Sequence, residues 1–244
     1  MDSLRHKKIA LFSPFALVWQ HALPARVIAQ TLASADRPVD LITCDGTLNS
    51  ACIVFRSRNL DPATNPSGAA TLCRQCKRVS RQRATKAFTQ LRMDDFIAPE
   101  DRQELRAFCE SVNPGPIDGR LFRGHPISRF ALYTHTIGHR ADTTDLDVEH
   151  VDAFRAEVLS VGLSLLAGEA YAEQHAPDLV MVSDFFYGAN RGFLSGVRNR
   201  APDVRCVGVY DSPNQAIPFT TFQWAEDVQS TPFAAAKSAW NRIT

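Results

Sequence analysis

Short apolar runs alternate with stretches of helical periodicity along this chain, and that alternation limits the fold more than any other feature. Lys8-Ile9-Ala10-Leu11-Phe12-Ser13 follows two basic residues and is broken by Pro14, as expected of a buried strand. Leu23, Val27, Ile28 and Leu32 then keep helical spacing between Trp19 and Leu32, with Pro24 tolerated in the first turn. Val39 to Cys44 is a second strand, closed by the turn dipeptide Asp45-Gly46. A long helix is expected over 147–175, where Val151, Phe154, Val158, Val161, Leu165 and Leu166 fall on one face. Leu179–Val182 is a strand, Ser183–Asn190 a loop, Arg191–Arg200 a helix and Arg205–Tyr210 a further buried strand. Strands and helices of these lengths in this order predict an α/β fold, a Rossmann-like, doubly wound and mostly parallel sheet.

The second feature is an array of cysteines. Cys44, Cys52, Cys73 and Cys76 follow the first strand and helix, with seven, twenty and two residues between successive members. Thiols clustered in this way bind metal more often than they pair as disulfides in a reducing compartment. Zinc takes four thiolates in a tetrahedron, and a Cys-x-x-Cys turn supplies two of them. The expectation is therefore a structural Zn2+ site in a cysteine-rich insertion at about 44–92, with an iron–sulfur cluster held by the same thiolates as the alternative. A redox pair at Cys73 and Cys76, with Cys44 and Cys52 as ordinary packed residues, is the reading without metal. Cys109 on a helix and Cys206 in a strand are read as packed core thiols.

Within that insertion, Asp61–Ala69 is rich in Pro, Asn, Ser and Gly and reads as irregular, and Lys77–Leu91 as a basic helix. Ala98–Cys109 is a further helix, closed by Asn113-Pro114-Gly115-Pro116, and Ile117–Thr144 a looser region.

Composition narrows the classes. The 45% hydrophobic content of 244 residues suffices for one large core. Lys and Arg total 27 against 26 Asp and Glu, so no overall field attracts polyanions. Seven basic residues lie between Arg74 and Arg92, yet few aromatics interleave for base stacking, and nucleic acid is accordingly discounted as a partner. The apolar runs fall short of the ~20 residues of a membrane span, and Met1 is not followed by a hydrophobic signal core. The expected location is cytoplasmic, with peripheral attachment to the inner membrane through a partner.

Candidate chemistry gathers where an α/β sheet binds ligands, at the carboxyl ends of its strands. His21 opens the first helix and is the candidate catalytic residue, as a general base or a hydroxyl or phosphate ligand. A histidine packed beneath Trp19 is the structural alternative. Asp184, Tyr187 and Asn190 stand in the loop after a strand and are candidate contacts to a sugar or phosphate, although Asn190 also suits a helix cap. The sequence carries no Gly-x-Gly-x-x-Gly element, Walker A motif or Gly-x-Ser-x-Gly elbow.

The stretch Phe15–Leu32 with Trp19-Gln20-His21, Thr43-Cys44-Asp45-Gly46, Cys73-Arg74-Gln75-Cys76, the long helix before Pro177-Asp178 and the Ser183–Arg191 loop resemble the amino-terminal half of bacterial capsular and surface polysaccharide glycosyltransferases of the GT-B type. That resemblance implies a single Rossmann-like domain over 1–244 whose donor-binding partner domain is absent. It implies transfer of a hexosyl unit from a nucleotide sugar to a glycan or lipid-linked acceptor, and inactivity of the chain alone. His21 would lie near the acceptor hydroxyl, on one rim with the 183–190 loop. The competing class is a non-catalytic, metal-stabilised α/β module that binds a protein or nucleic acid.

Overall fold

The computed structural model describes residues 7–35, 37–82, 88–117, 119–139, 145–211 and 219–223. A six-stranded sheet runs through the molecule in the order β3-β2-β1-β6-β7-β8. Its strands are β1 (Ile9–Phe12), β2 (Val39–Thr43), β3 (Thr89–Arg92), β6 (Leu179–Val182), β7 (Arg205–Asp211) and β8 (Phe219–Gln223). The first five are mutually parallel and β8 pairs antiparallel with β7. A second, two-stranded sheet pairs β4 (Gly115–Pro116) with β5 (Asp145–Leu146). The expected α/β class with a mostly parallel sheet is what the chain adopts.

The apolar alternation of β1 decides which face each side chain takes. Ala10 and Phe12 enter the larger core, together with α6 (Val151–His175), α7 (Gly188–Arg200) and α4 (Pro99–Glu110). Ile9 and Leu11 face the opposite side, where α1 (Trp19–Ser34) contributes Ala29 and partly buried Ile28 and Leu32. Residues two apart in a strand share a face, so this split follows from the strand period.

Helix α6 is buried on nearly every side, from Val151 to Ala172. It lies in the middle of a helical layer, against α4, α5 (Ile127–His139) and α7. Its approach to α7 is close because glycines stand at the crossing. A Cβ on Gly168 would come within 2.2 Å of the Phe193 carbonyl oxygen, and one on Gly196 within 2.1 Å of that of Leu165.

The segment expected as an insertion at about 44–92 is a crossover of the main sheet. It holds α2 (Ile53–Arg56) and α3 (Pro66–Gln82) and ends in β3, which pairs in register with β2 from Asp40↔Thr89 to Thr43↔Arg92. The irregular stretch thus gives way to helix at Asn65-Pro66, where the Asn65 carboxamide oxygen accepts the Gly68 N–H at 2.9 Å and proline occupies the first helical position. Helix α3 ends at Gln82, and residues 83–87 of the expected basic helix lie outside the described residues. Within the expected loose region the structure has α5, and its residues 118 and 140–144 are not described.

Candidate active site

Strand β1 pairs with β2 on one side and with β6 on the other, so the chain reverses its direction of winding between β1 and β6. Outside the carboxyl ends of such a strand pair lies the crevice where open α/β sheets bind ligands. Here two serines mark it. Phe12 is in register with Val182, and the next residues, Ser13 and Ser183, are 6% and 9% exposed.

His21 reaches this point from the first turn of α1. Its Nδ1 lies 3.2 Å from the Ser183 hydroxyl, which donates to the ring in the tautomer that leaves Nδ1 unprotonated. The ring is held by Tyr187, with centroids 5.1 Å apart, and by Phe15 at 6.1 Å. Asn190, fully buried in the first turn of α7, donates to the Asp184 carbonyl at 2.8 Å and lies 3.5 Å from the Ser183 hydroxyl. Its side-chain oxygen has no hydrogen-bond partner among the described residues. The capping position of α7 belongs to Tyr187, so Asn190 serves inside the helix rather than as its cap.

Asp184 stands on the other side of the strand end. Its carboxylate accepts the Phe186 N–H at 2.6 Å. Burial pushes this acid up to about 6, against the smaller opposing effect of that amide. Burial and the neighbouring Asp184 charge both raise the phenols of Tyr133 and Tyr187, whose rings lie 6.1 Å apart. Thr134 of α5 receives the Gly188 N–H on its hydroxyl at 2.9 Å and so ties the start of α7 to this wall.

The structure therefore brings His21, Asp184, Tyr187 and Asn190 together at the carboxyl ends of β1 and β6. Tyr133 is not legible as a site residue in the sequence because α5 was not expected, and there Ser13 only ends a strand and Ser183 only opens a loop. Position at the carboxyl ends of two apolar strands is the signal that identifies both serines.

The four cysteines come from three elements: Cys44 follows β2, Cys52 caps α2, and Cys73 and Cys76 lie on α3. They share the lining of one cavity of about 30 Å³. Among the described residues no three His, Cys, Asp or Glu side chains form a group that could hold a metal ion, so neither the expected zinc site nor the iron–sulfur alternative gains support from the geometry. All six cysteines are free thiols. Burial raises Cys44 to about 11, although the Leu48 and Gly46 amides oppose it, and burial raises Cys52 and Cys76 as well. An apolar setting keeps such thiols protonated. Cys109 and Cys206 are buried, as expected, and each is pushed up to about 12.

No helix among the described residues is long and apolar enough to cross a membrane.

No protein-family model and no curated protein sequence matches this chain. Its fold is similar to that of a CDPS from Fluoribacter dumoffii, with a TM-score of 0.52 and 8% sequence identity over 89% of this chain and 91% of that one. AlbC, a cyclodipeptide synthase from Streptomyces noursei, gives a TM-score of 0.45 at 10% identity over 78% and 88%. The fold is thus that of a CDPS, and the likeness to the amino-terminal half of a GT-B glycosyltransferase is corrected. The hexosyltransferase activity, the nucleotide-sugar donor and the glycan acceptor, all of which rested on that likeness, fall with it. The non-catalytic metal-stabilised module also loses its basis, since the described residues supply no metal-binding group.

Proposed function

We propose that this chain is an acyl-transfer enzyme that joins two activated aminoacyl units into a cyclic dipeptide. The observation that carries the reading is the Ser183–His21 pair, set at the switch point of a fold similar to that of a CDPS. A hydroxyl within hydrogen-bond reach of an imidazole is the arrangement nucleophilic catalysis requires.

The chemistry balances with the groups present. The Ser183 oxygen attacks the carbonyl of the first aminoacyl ester, His21 takes the hydroxyl proton, and the carrier hydroxyl leaves with a proton returned to it. The amine of a second aminoacyl ester then attacks the acyl-serine, which forms the first amide and frees Ser183. Attack by the remaining amine on the remaining ester closes the ring and releases the second carrier. Two aminoacyl esters thus yield one cyclic dipeptide and two carrier hydroxyls, without an oxidant or reductant.

The carrier is read as tRNA. The sequence has no Walker A or dinucleotide motif with which to activate a carboxyl group itself. Helix α3 presents Arg74, Arg78 and Arg81 as exposed residues, a local cationic face that suits phosphates. The discount of nucleic acid is thereby reversed: a net charge of +1 averages over the whole chain and says nothing of one helix face.

The test is incubation of the purified chain with mixed aminoacyl-tRNAs and mass spectrometry of the small-molecule products. Cyclic dipeptides from the wild type, lost in Ser183→Ala, are the expected result. Their absence with folded protein and intact aminoacyl-tRNA would sink the reading.

A further inference from the structure

Ser183 and Asp184 are consecutive, yet they serve different sides of the strand end. Ser183 meets His21 of α1, whereas the Asp184 charge acts on Tyr133 of α5 and on Tyr187. The two side chains thus address different helices, α1 and α5, so a group bound at Asp184 is offset from the reacting hydroxyl.

Asp184 forms no ion pair among the described residues. The nearby cations are engaged elsewhere. Arg56 pairs with the buried Glu157 and donates to the Thr134 carbonyl. The Arg191 guanidinium stacks over the Phe130 ring at 4.6 Å. One backbone amide, that of Phe186, is the hydrogen bond the carboxylate receives. A largely buried carboxylate with one neutral donor and no counter-charge is costly unless a cation arrives to complete it. Aromatic residues are its neighbours: its charge acts on Tyr133 and Tyr187, and the Tyr133 ring packs 5.6 Å from Phe186 and 6.1 Å from Tyr187, ring centre to ring centre. Aromatic rings beside a carboxylate favour a cation over a neutral polar group, since both can attract positive charge.

We infer that Asp184, with Tyr133 and Tyr187, is a subsite for a cationic side chain, so that one of the two aminoacyl units joined carries an amine or a guanidinium. The offset from Ser183 favours the side chain over the α-ammonium, which lies beside the acyl carbonyl in every aminoacyl ester. A phosphate at Asp184, one of the two ligands expected from the sequence beside a sugar, would meet like charge. The inference rests on the acyl-transfer reading for its choice of ligand, but its test does not need turnover.

The experiment measures binding of arginine methyl ester, lysine methyl ester and norleucine methyl ester to the intact chain, wild type and Asp184→Asn, by calorimetry or NMR titration. All three carry an α-ammonium, so the comparison isolates the side-chain charge. At least one cationic ester is expected to bind the wild type ten-fold or more tightly than norleucine methyl ester, and Asp184→Asn to erase that preference. Equal binding of all three, including no binding by any, overturns the subsite. So does a preference that survives in Asp184→Asn. Failure of the acyl-transfer reading shows separately, as the absence of cyclic dipeptide from aminoacyl-tRNA.

Discussion

The ring of Phe12, the last residue of β1, stacks on that of Phe193 in α7 with centroids 4.1 Å apart and planes 3° from parallel. Each is fully buried, and each lies close in sequence to the crevice: Phe12 precedes Ser13, and Phe193 follows Asn190 by one helical turn. The stack fixes the strand end relative to the helix and with it the register of the site.

Removing one ring should therefore cost both stability and placement. Phe193→Ala is expected to destabilise the fold by about 3–5 kcal/mol, because the large ring leaves a cavity against Phe12 and Tyr171. Phe193→Leu should cost roughly half as much. Chemical denaturation of both variants measures the difference, and equal stability of Phe193→Ala and wild type would contradict the packing described.

His21 is expected to matter for rate and little for folding. Its ring is half-buried at the crevice and touches Ser183, Tyr187 and Phe15. His21→Gln should lower turnover by about 10²–10⁴-fold, the usual contribution of a positioned base, with a melting temperature close to wild type. Unchanged turnover in that variant would remove the histidine from the chemistry.

Asp184 gives a pH signature with a definite sign. Its folded-state pKa of about 6 lies above the ordinary value of 3.8, so between those values the folded state binds more protons than the unfolded. Stability attached to this group is thus present at low pH and declines as pH rises through about 6. At pH 7 the ionised acid opposes folding by up to ~3 kcal/mol. Asp184→Asn should be more stable than wild type at pH 7, with the gap closing towards pH 4. Thermal melts across that range read the effect, and a constant gap would refute the assignment.

The thiols supply a further check. Cys44, Cys109 and Cys206 are buried and held protonated, so they should resist a disulfide reagent at pH 8 in native protein. Denaturation should expose all six cysteines of the chain to it. Rapid reaction of Cys44 or Cys206 in the folded state would show that their surroundings open.

Much of the fold was legible in the sequence because its central strands are buried on both faces. Ile9–Phe12, Val39–Thr43, Leu179–Val182 and Arg205–Tyr210 read as apolar runs for that reason, and the long repeat of α6 was equally plain. The elements missed lie at edges. Strand β3, Thr89-Gln90-Leu91-Arg92, has no buried residue and so no apolar run. With β3 unseen, the stretch from Cys44 to Arg92 looked like an insertion when it is a crossover. Asn65-Pro66 carried the cap and first-turn signals of α3, but lay inside a stretch whose Pro, Asn and Gly content reads as loop. That His21, Asp184, Tyr187 and Asn190 would gather at one place followed from position alone, since the carboxyl ends of strands can be located without knowing the reaction. The pairing of His21 with Ser183, on which the proposed reaction rests, was not legible because it spans 162 positions of sequence. The cysteine spacing suggested a metal, and the fold brings all four residues to the lining of one cavity although they come from three separate elements.

Intact-protein mass spectrometry after brief exposure to aminoacyl-tRNA tests the central claim most directly. A gain of one aminoacyl unit that maps to Ser183, is lost in Ser183→Ala, and disappears as cyclic dipeptide accumulates is the predicted result. A chain that gains no aminoacyl group and releases no cyclic dipeptide would contradict the account.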